Sequence, residues 1–344
     1  MKKNSRITIG ITMGDPSGIG PEIIIKSFER KSVRNGRIII IGDFNIMQMA
    51  YDLIKPDGFS LKKITDAGQC DFSPSRLNVL DLHLIDRKNF SPGVVNADSG
   101  AAAFECVRKA TQLAMTGQMD AIVTAPLNKE ALHKAGKNFS GHTEILASLT
   151  GKKDYAMLLY DRKLSVIHVS THISLKEAIT GLTSDRIEKV IVMADEVMQR
   201  LNGSRPGIAV SGINPHAGEN GLFGREEIEK IIPAINNMKK RGINVEGPLP
   251  PDTVFLQAMK GRYDIVVAMY HDQGHIPMKL LGFNSAVNIT VGLPVIRTSV
   301  DHGTAFEIAW QGKADESSMV NAIKLAIRMR IPPNPSKGGL IDFC

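Results

Sequence analysis

The chain has 344 residues and three cysteines, Cys70, Cys106 and Cys344, with no paired spacing. That excludes a disulfide framework and a cysteine zinc site, and it fits a reducing compartment. Aromatic residues make up only 5% of the chain, and the basic side chains that give a net charge of +7 are dispersed along it. A nucleic-acid platform is therefore not expected, whereas anionic small molecules suit the charge. No apolar stretch approaches the roughly 18 to 20 residues that cross a bilayer, and the start lacks a signal-type apolar block. The expectation is a cytoplasmic protein without a membrane partner. Repeats and low-complexity tracts are also missing. The glycine loop MGDPSGIGPE carries Gly14, Gly18 and Gly20, but it is neither GxGxxG nor a P-loop with its Lys-Ser/Thr pair, so no Rossmann dinucleotide site is signalled. Ser299, Asp301 and His302 are sequence neighbours with no nucleophile elbow, which argues against a hydrolytic triad.

What is present is a repeated unit. Short β-branched apolar runs lead into a polar or glycine-rich turn and then into a segment of helical periodicity. RITIGIT, RIIIIGD, DAIVTAPL, LSVIHVSTH, GIAVSGINPH and YDIVVAMYH supply the runs. Runs that are apolar on both faces, separated by helix-length segments, predict largely parallel sheets covered on both sides: an α/β protein. The length predicts two domains of roughly 150 residues each. GQCDFSPSRLNVLD and SRPGIAV read as surface loops and PPNPSKGG as irregular structure. Pro21 sits where a first-turn proline is tolerated.

In open parallel sheets, ligands gather at the carboxyl ends of the strands. Three of the nine histidines stand there in three separate units: His172 after VIHVST, His216 after AVSGINP and His271 after VVAMY. One such histidine is usually a cap or a solvated side chain, but three in matching positions raise a shared metal. Neutral imidazoles with open coordination positions suit zinc, cobalt or manganese better than magnesium. His168, inside its run, reads as a hydrogen-bonded core residue, and His83, His133 and His275 have no second feature in their favour. Asp272 and Asp252 could orient a ligand or substrate, or merely cap the helix that follows. Lys279 and Arg297 could hold a phosphate or carboxylate, or be surface charge, and Asn288 lies between them. His142 and Thr143 precede an apolar-periodic stretch, where Thr143 could be an N-cap. Asp301 and His302 precede an expected helix start. On residues alone, a tri-histidine metallohydrolase and a non-catalytic sensor of phosphorylated acids stay open.

The ordered blocks TMGDPSGIGPE, SGHTE, NPHAGENGLFGREE, GPLPPDTVF, AMYHDQG and NITVGLPVIRTSVDHGTAFEIA run nearly end to end. By them the chain strongly resembles the 4-hydroxythreonine-4-phosphate dehydrogenase family. HTEILASLTGKKDYAMLL and AGENGLFGREE look closer to its branch acting on D-threonate or D-erythronate 4-phosphate. The resemblance implies a homodimer of two α/β/α domains per subunit, related to isocitrate and isopropylmalate dehydrogenases. Residues 1–140 with 285–344 would form one domain, and 141–284 the second, carrying most metal ligands and the dimer contact.

It further implies one divalent metal held by His172, His216 and His271, one of them supplied across the subunit interface. Substrate contacts would be His142, Thr143, Lys279, Asn288 and Arg297, with Asp272 and Lys279 nearest the chemistry. The opening loop resembles the GDGIGPE loop of the wider group and HGTAFEIA its cofactor loop. An NAD site is implied there, with Asp252, Gly292, His302, Gly303 and Thr304 as contacts. The implied reaction is oxidation and decarboxylation of a phosphorylated 3-hydroxy acid, giving dihydroxyacetone phosphate or, in the vitamin B6 enzyme, a phosphorylated amino ketone. Trp310 departs from the pattern, standing where the family usually has glycine.

Overall fold

A computed structural model describes residues 7–88, 90–281 and 286–330. In chain order its strands are β1 (Thr8–Thr12), β2 (Arg37–Gly42), β3 (Ser60–Ile64), β4 (Arg76–Asp81), β5 (Ala121–Thr124), β6 (Ala156–Tyr160), β7 (Ser165–His168), β8 (Ile208–Ser211), β9 (Val245–Leu249), β10 (Ile265–Ala268), β11 (Val287–Val291) and β12 (Ile296–Ser299). The chain divides into two compact units. Unit 1 comprises the residues up to Lys153 together with Leu293–Arg330, and unit 2 comprises Asp154–Gly292. PPNPSKGG and Cys344 lie outside the described residues.

Unit 1 orders its strands β3-β4-β2-β1-β5-β12, all parallel. β1 and β5 are buried at every position, as central parallel strands must be when helices cover both faces. The helix Gly20–Glu29 starts on Pro21, and Phe44–Ile54 starts on Asp43, whose carboxylate accepts from the amides of Asn45 and Ile46. The stretch RLNVLD corrects its reading as a loop. It is β4, with Leu77 to Leu80 buried and the Asn78 amide donating to the Asp71 carbonyl at 2.8 Å. The Ser-Pro-Ser turn before it dominates the local pattern, and only pairing with β2 and β3 reveals the strand.

Unit 2 orders its strands β11-β6-β7-β10-β8-β9. β7, β10, β8 and β9 run parallel, while β6 is antiparallel to both β7 and β11. The expected α/β class is thus found, with a mixed sheet in this unit. The β6–β7 reversal needs only the four residues Asp161–Leu164 between the strands, too few for a parallel crossover. Its core gathers Val166, Val266, Ala209 and Ala268 from the strands with Phe255, Ala258 and Met278 from flanking helices.

Candidate active site

Unit 2 carries the histidines at the carboxyl ends of three strands. His172 follows β7, His216 follows β8 and His271 follows β10, opening the helix His271–Leu281. His172 and His216 both adopt left-handed backbone, with φ of 53° and 52°. Non-glycine residues rarely do so, and such strain concentrates at functional sites. The His172 and His271 rings lie 5.8 Å apart between centroids. Two imidazoles sharing a tetrahedral ion through Zn–N bonds of about 2.1 Å would place their centroids about 5 Å apart. His271 Nδ1 is 2.6 Å from Asp272 Oδ1. With that nitrogen donating to the carboxylate, Nε2 keeps its lone pair outward, which is how metal-binding imidazoles are commonly held. Asp272 therefore acts on His271, and its helix-capping alternative falls behind that contact.

His216 is not in this group. Its ring stands 6.4 Å from Phe223, on a loop in which His216, Ala217, Gly218, Glu219 and Asn220 are all left-handed. Buried Glu227 holds that loop, accepting from the amides of Ile213 and Asn214 at 2.8 Å each. Among the described residues of this single chain, no set of three His, Cys, Asp or Glu could hold a metal ion. The donor chemistry of His172 and His271 still fits a borderline divalent cation, as two imidazoles of a larger ligand set. Exposed apolar side chains flank all three histidines: Ile173 and Leu175, Leu222 and Phe223, and Ile276 and Leu280.

His168 ends β7 and is buried as expected, its Nδ1 3.1 Å from the Met157 carbonyl. Burial pushes its pKa down to about 3, so the ring is neutral. It is nevertheless part of the histidine group, 4.9 Å from His275 and 6.2 Å from His271. Sequence reasoning passed over His275, although its i,i+4 spacing from His271 on a helix was a readable signal. Lys279 lies one further turn along, and Asn288, within β11, has a buried Oδ1 with no hydrogen-bond partner among the described residues. Gly292 has φ 89°, and a Cβ there would meet the Asp154 carbonyl oxygen at 2.6 Å. Its local backbone thus requires glycine whatever it binds. Asp252 is exposed in a turn ahead of the helix Val254–Met259.

Unit 1 gathers a second set. Arg297 lies in β12, is only 3% exposed, and donates from Nη2 to Thr124 Oγ1 at 2.7 Å. Burial pulls its guanidinium pKa down to about 9, opposed by the charge of Glu144. His142 opens the helix His142–Thr150, and its buried Nε2 has no hydrogen-bond partner among the described residues. Burial first, and then the Arg297 charge, hold its pKa well below the ordinary histidine value. A buried cation beside a neutral imidazole suits an anionic ligand. Thr143 is not an N-cap: Gly141 takes that position, and Thr143 sits in the first turn.

Also in unit 1, the glycine loop is clamped by the HGTAFEIAWQG segment. Ile19 N donates to Thr304 O at 3.0 Å, and a Cβ on Gly18 would lie 2.9 Å from Thr304 Cβ. The expected helix after His302 does not form. That segment is a run of turns with Ala305 and Trp310 at positive φ, and the next helix is Ser317–Arg330. Trp310, at φ 61°, occupies a conformation natural to glycine. Its amide is held by Glu22 and its indole Nε1 donates to the Pro16 carbonyl at 3.0 Å. Among the described residues, Gly303 has open space where a Cβ would stand, and His302 Nε2 is a buried nitrogen with no hydrogen-bond partner. Both fit a polar group laid against this loop, as the NAD reading requires.

An all-parallel α/β unit and a mixed one, with imidazoles at strand ends and a buried guanidinium, define a ligand-binding α/β protein of the enzyme type. A family model described as pyridoxal phosphate biosynthetic protein PdxA matches residues 34–326. The chain belongs to that family, and the resemblance read from its sequence blocks is borne out. D-threonate 4-phosphate dehydrogenase of Pectobacterium atrosepticum is 54% identical over 93% of this chain and 98% of its own. A solved structure named 4-hydroxythreonine-4-phosphate dehydrogenase from Klebsiella pneumoniae is 53% identical. It covers 95% of this chain and 100% of that one, with a TM-score of 0.86. Isocitrate dehydrogenase from Methylococcus capsulatus, at 14% identity and a TM-score of 0.51 over 95% of this chain and 86% of that one, shares the fold alone.

Proposed function

We propose that this chain is an NAD- and divalent-metal-dependent dehydrogenase that oxidises D-threonate 4-phosphate, or D-erythronate 4-phosphate, at C3. Carbon dioxide is released and dihydroxyacetone phosphate is formed. The observation that carries the reading is the pair His172 and His271 at the ends of β7 and β10, with His271 oriented by Asp272. The name of the 54% identical relative supports the choice of substrate. The name of the 53% identical solved structure favours the amino analogue, 4-hydroxythreonine 4-phosphate, as the second reading.

When bound, a divalent cation would supply Lewis acidity toward the substrate's hydroxyl oxygen, and NAD the hydride acceptor. Loss of hydride from C3 and of the hydroxyl proton turns the substrate into a β-keto acid. Its carboxylate leaves as carbon dioxide, and the electron pair left on C2 takes up a proton. His172 and His271 would hold the cation, with Asp272 fixing the tautomer of His271. In unit 1, Arg297 and His142 with Thr143 would grip an anionic group of the substrate. A guanidinium already stripped of water gains more from a phosphate or carboxylate than a solvated one does. In unit 2, Lys279 and Asn288 offer further polar contacts to substrate. The segment His302–Thr304 and the glycine loop would receive the cofactor, with Asp252 and Gly292 as further contacts.

A second copy of the chain would supply the missing imidazole, His216, giving a homodimer whose active site lies at the subunit interface. The exposed apolar residues beside all three histidines support this. Subunit complementation tests it: mixing inactive His216→Ala and His271→Ala chains should restore roughly a quarter of wild-type activity by forming one intact site per mixed dimer. No recovery would place all ligands in one subunit. NADH formation, followed by absorbance with 4-phospho-D-threonate, 4-phospho-D-erythronate and 4-phosphohydroxy-L-threonine in parallel, tests the reaction. Preference for the amino acid substrate would move the assignment to the second reading, and no NADH with any of them would defeat both.

A further inference from the structure

The helix His271–Leu281 begins beside the end of β7 because β10 and β7 pair in register, Ala268 opposite His168. Four residues along the helix, His275 returns to the face of His271. The two rings are stacked, 3.6 Å between centroids and 11° between planes. His275 Nδ1 lies 3.2 Å from the His271 carbonyl oxygen, so the second ring is tethered to the backbone of the first. Behind it stands His168, 4.9 Å away, itself tied to Met157. Gly274 makes this approach possible, since a Cβ there would lie 2.4 Å from His168 Nε2.

Asp272 cannot hold the ring of His271 alone. Its side chain is 72% exposed, and a hydrogen bond open to water competes with solvent and constrains a ring weakly. A flat contact over the whole face of the imidazole restricts rotation about χ2 in a way that one exposed hydrogen bond does not.

We propose that His275, backed by His168, is a positioning residue: a stacked imidazole buttress that fixes the ring plane of His271 and so the direction in which its Nε2 meets a cation. This rests on the reading of His271 as a metal ligand. The test measures Co²⁺ affinity by competition with a chelator, together with the ligand-field spectrum of the bound ion. It uses the full-length wild type and the variants His271→Ala, His275→Ala, His275→Phe and His168→Leu.

His275→Ala should bind Co²⁺ ~10- to 100-fold more weakly, with shifted ligand-field bands. His275→Phe, which keeps a flat ring without the Nδ1 tether, should return affinity to within about 3-fold of wild type. His168→Leu should fall between the two. Wild-type affinity and spectrum in His275→Ala would overturn the buttress. So would a His275→Phe variant as impaired as His275→Ala, since the flat face would then not be what matters. If wild type and His271→Ala bind Co²⁺ alike, the metal-ligand reading fails first and the buttress with it.

Discussion

In unit 1 the groups suited to an anion are built into the sheet. Arg297 lies within β12 with its guanidinium on Thr124, and the buried Nε2 of His142 belongs to the same set, so both depend on the fold being closed around them. In unit 2 the candidate ligands stand where strands have ended, on backbone twisted into left-handed turns or at a helix start, and His216 is held apart from the others. The first arrangement resembles a finished receptor for charge. The second brings two imidazoles together and leaves the third apart. The difference teaches that a strand within a closed sheet prepares a charge by burying it, whereas side chains placed after strand ends stay reachable.

Four perturbations would break or sharpen that contrast. The largest effect belongs to unit 2: His271→Ala should lose bound metal and lower kcat/KM on the order of 10³-fold, about 4 kcal/mol. Unchanged metal content in the purified variant would remove His271 from the coordination shell. Next comes Asp15, whose carboxyl is pushed up to about 6 by burial, against the amide of Ser17 that lowers it. The unfolded chain releases this proton near the ordinary aspartate value of 3.8, so the folded state binds more protons between the two. Stability is fully present below the lower value and falls as pH rises through about 6. Asp15→Asn should flatten that slope, on the order of 3 kcal/mol, in urea midpoints taken across the range; an unaltered slope would show that another group is responsible.

Smaller again, Arg297→Lys should reduce kcat/KM by ~10- to 100-fold through loss of the planar fork, mainly in KM, while metal content stays at wild-type level. Loss of metal in this variant would erase the division of labour between the units. The smallest effect is a control in neither set: Lys55, left-handed at φ 52° at the end of the helix Phe44–Ile54. Lys55→Gly should stabilise unit 1 by about 0.5 to 1 kcal/mol and leave KM and metal content unchanged. A thermal melt and a metal assay together check it.

Much of the architecture was readable from local pattern. Each of the six quoted apolar runs is a strand, and the histidines that follow three of them stand at strand ends. β4 was not readable, because Leu77, Val79 and Leu80 are too few to outweigh the Asp, Ser and Pro ahead of them. The helix expected after His302 was misread for a related reason. DHGTAFEIA has helical composition, but its fixed contacts to the glycine loop and Glu22 impose turns. His275, read alone, has no second feature in its favour; its i,i+4 spacing from His271 places both on one helix face, and only the fold shows that the two rings stack. The anchoring of the His216 loop by Glu227 was invisible for a related reason, since a carboxylate thirteen and fourteen residues from its partners leaves no periodic trace.

The sequence by itself determined the alternation of buried strands with covering helices, the strand ends at which imidazoles emerge, and membership of a family whose ordered blocks it carries. These follow from hydrophobic periodicity and residue identity, which are local properties. Only the tertiary structure decided which histidines meet, that a buried Arg297 keeps a neutral His142 for company, and that Trp310 is locked in a glycine-like conformation by Glu22 and Pro16. Those outcomes depend on desolvation and on contacts between residues distant in the chain, which come into being when the sheets close.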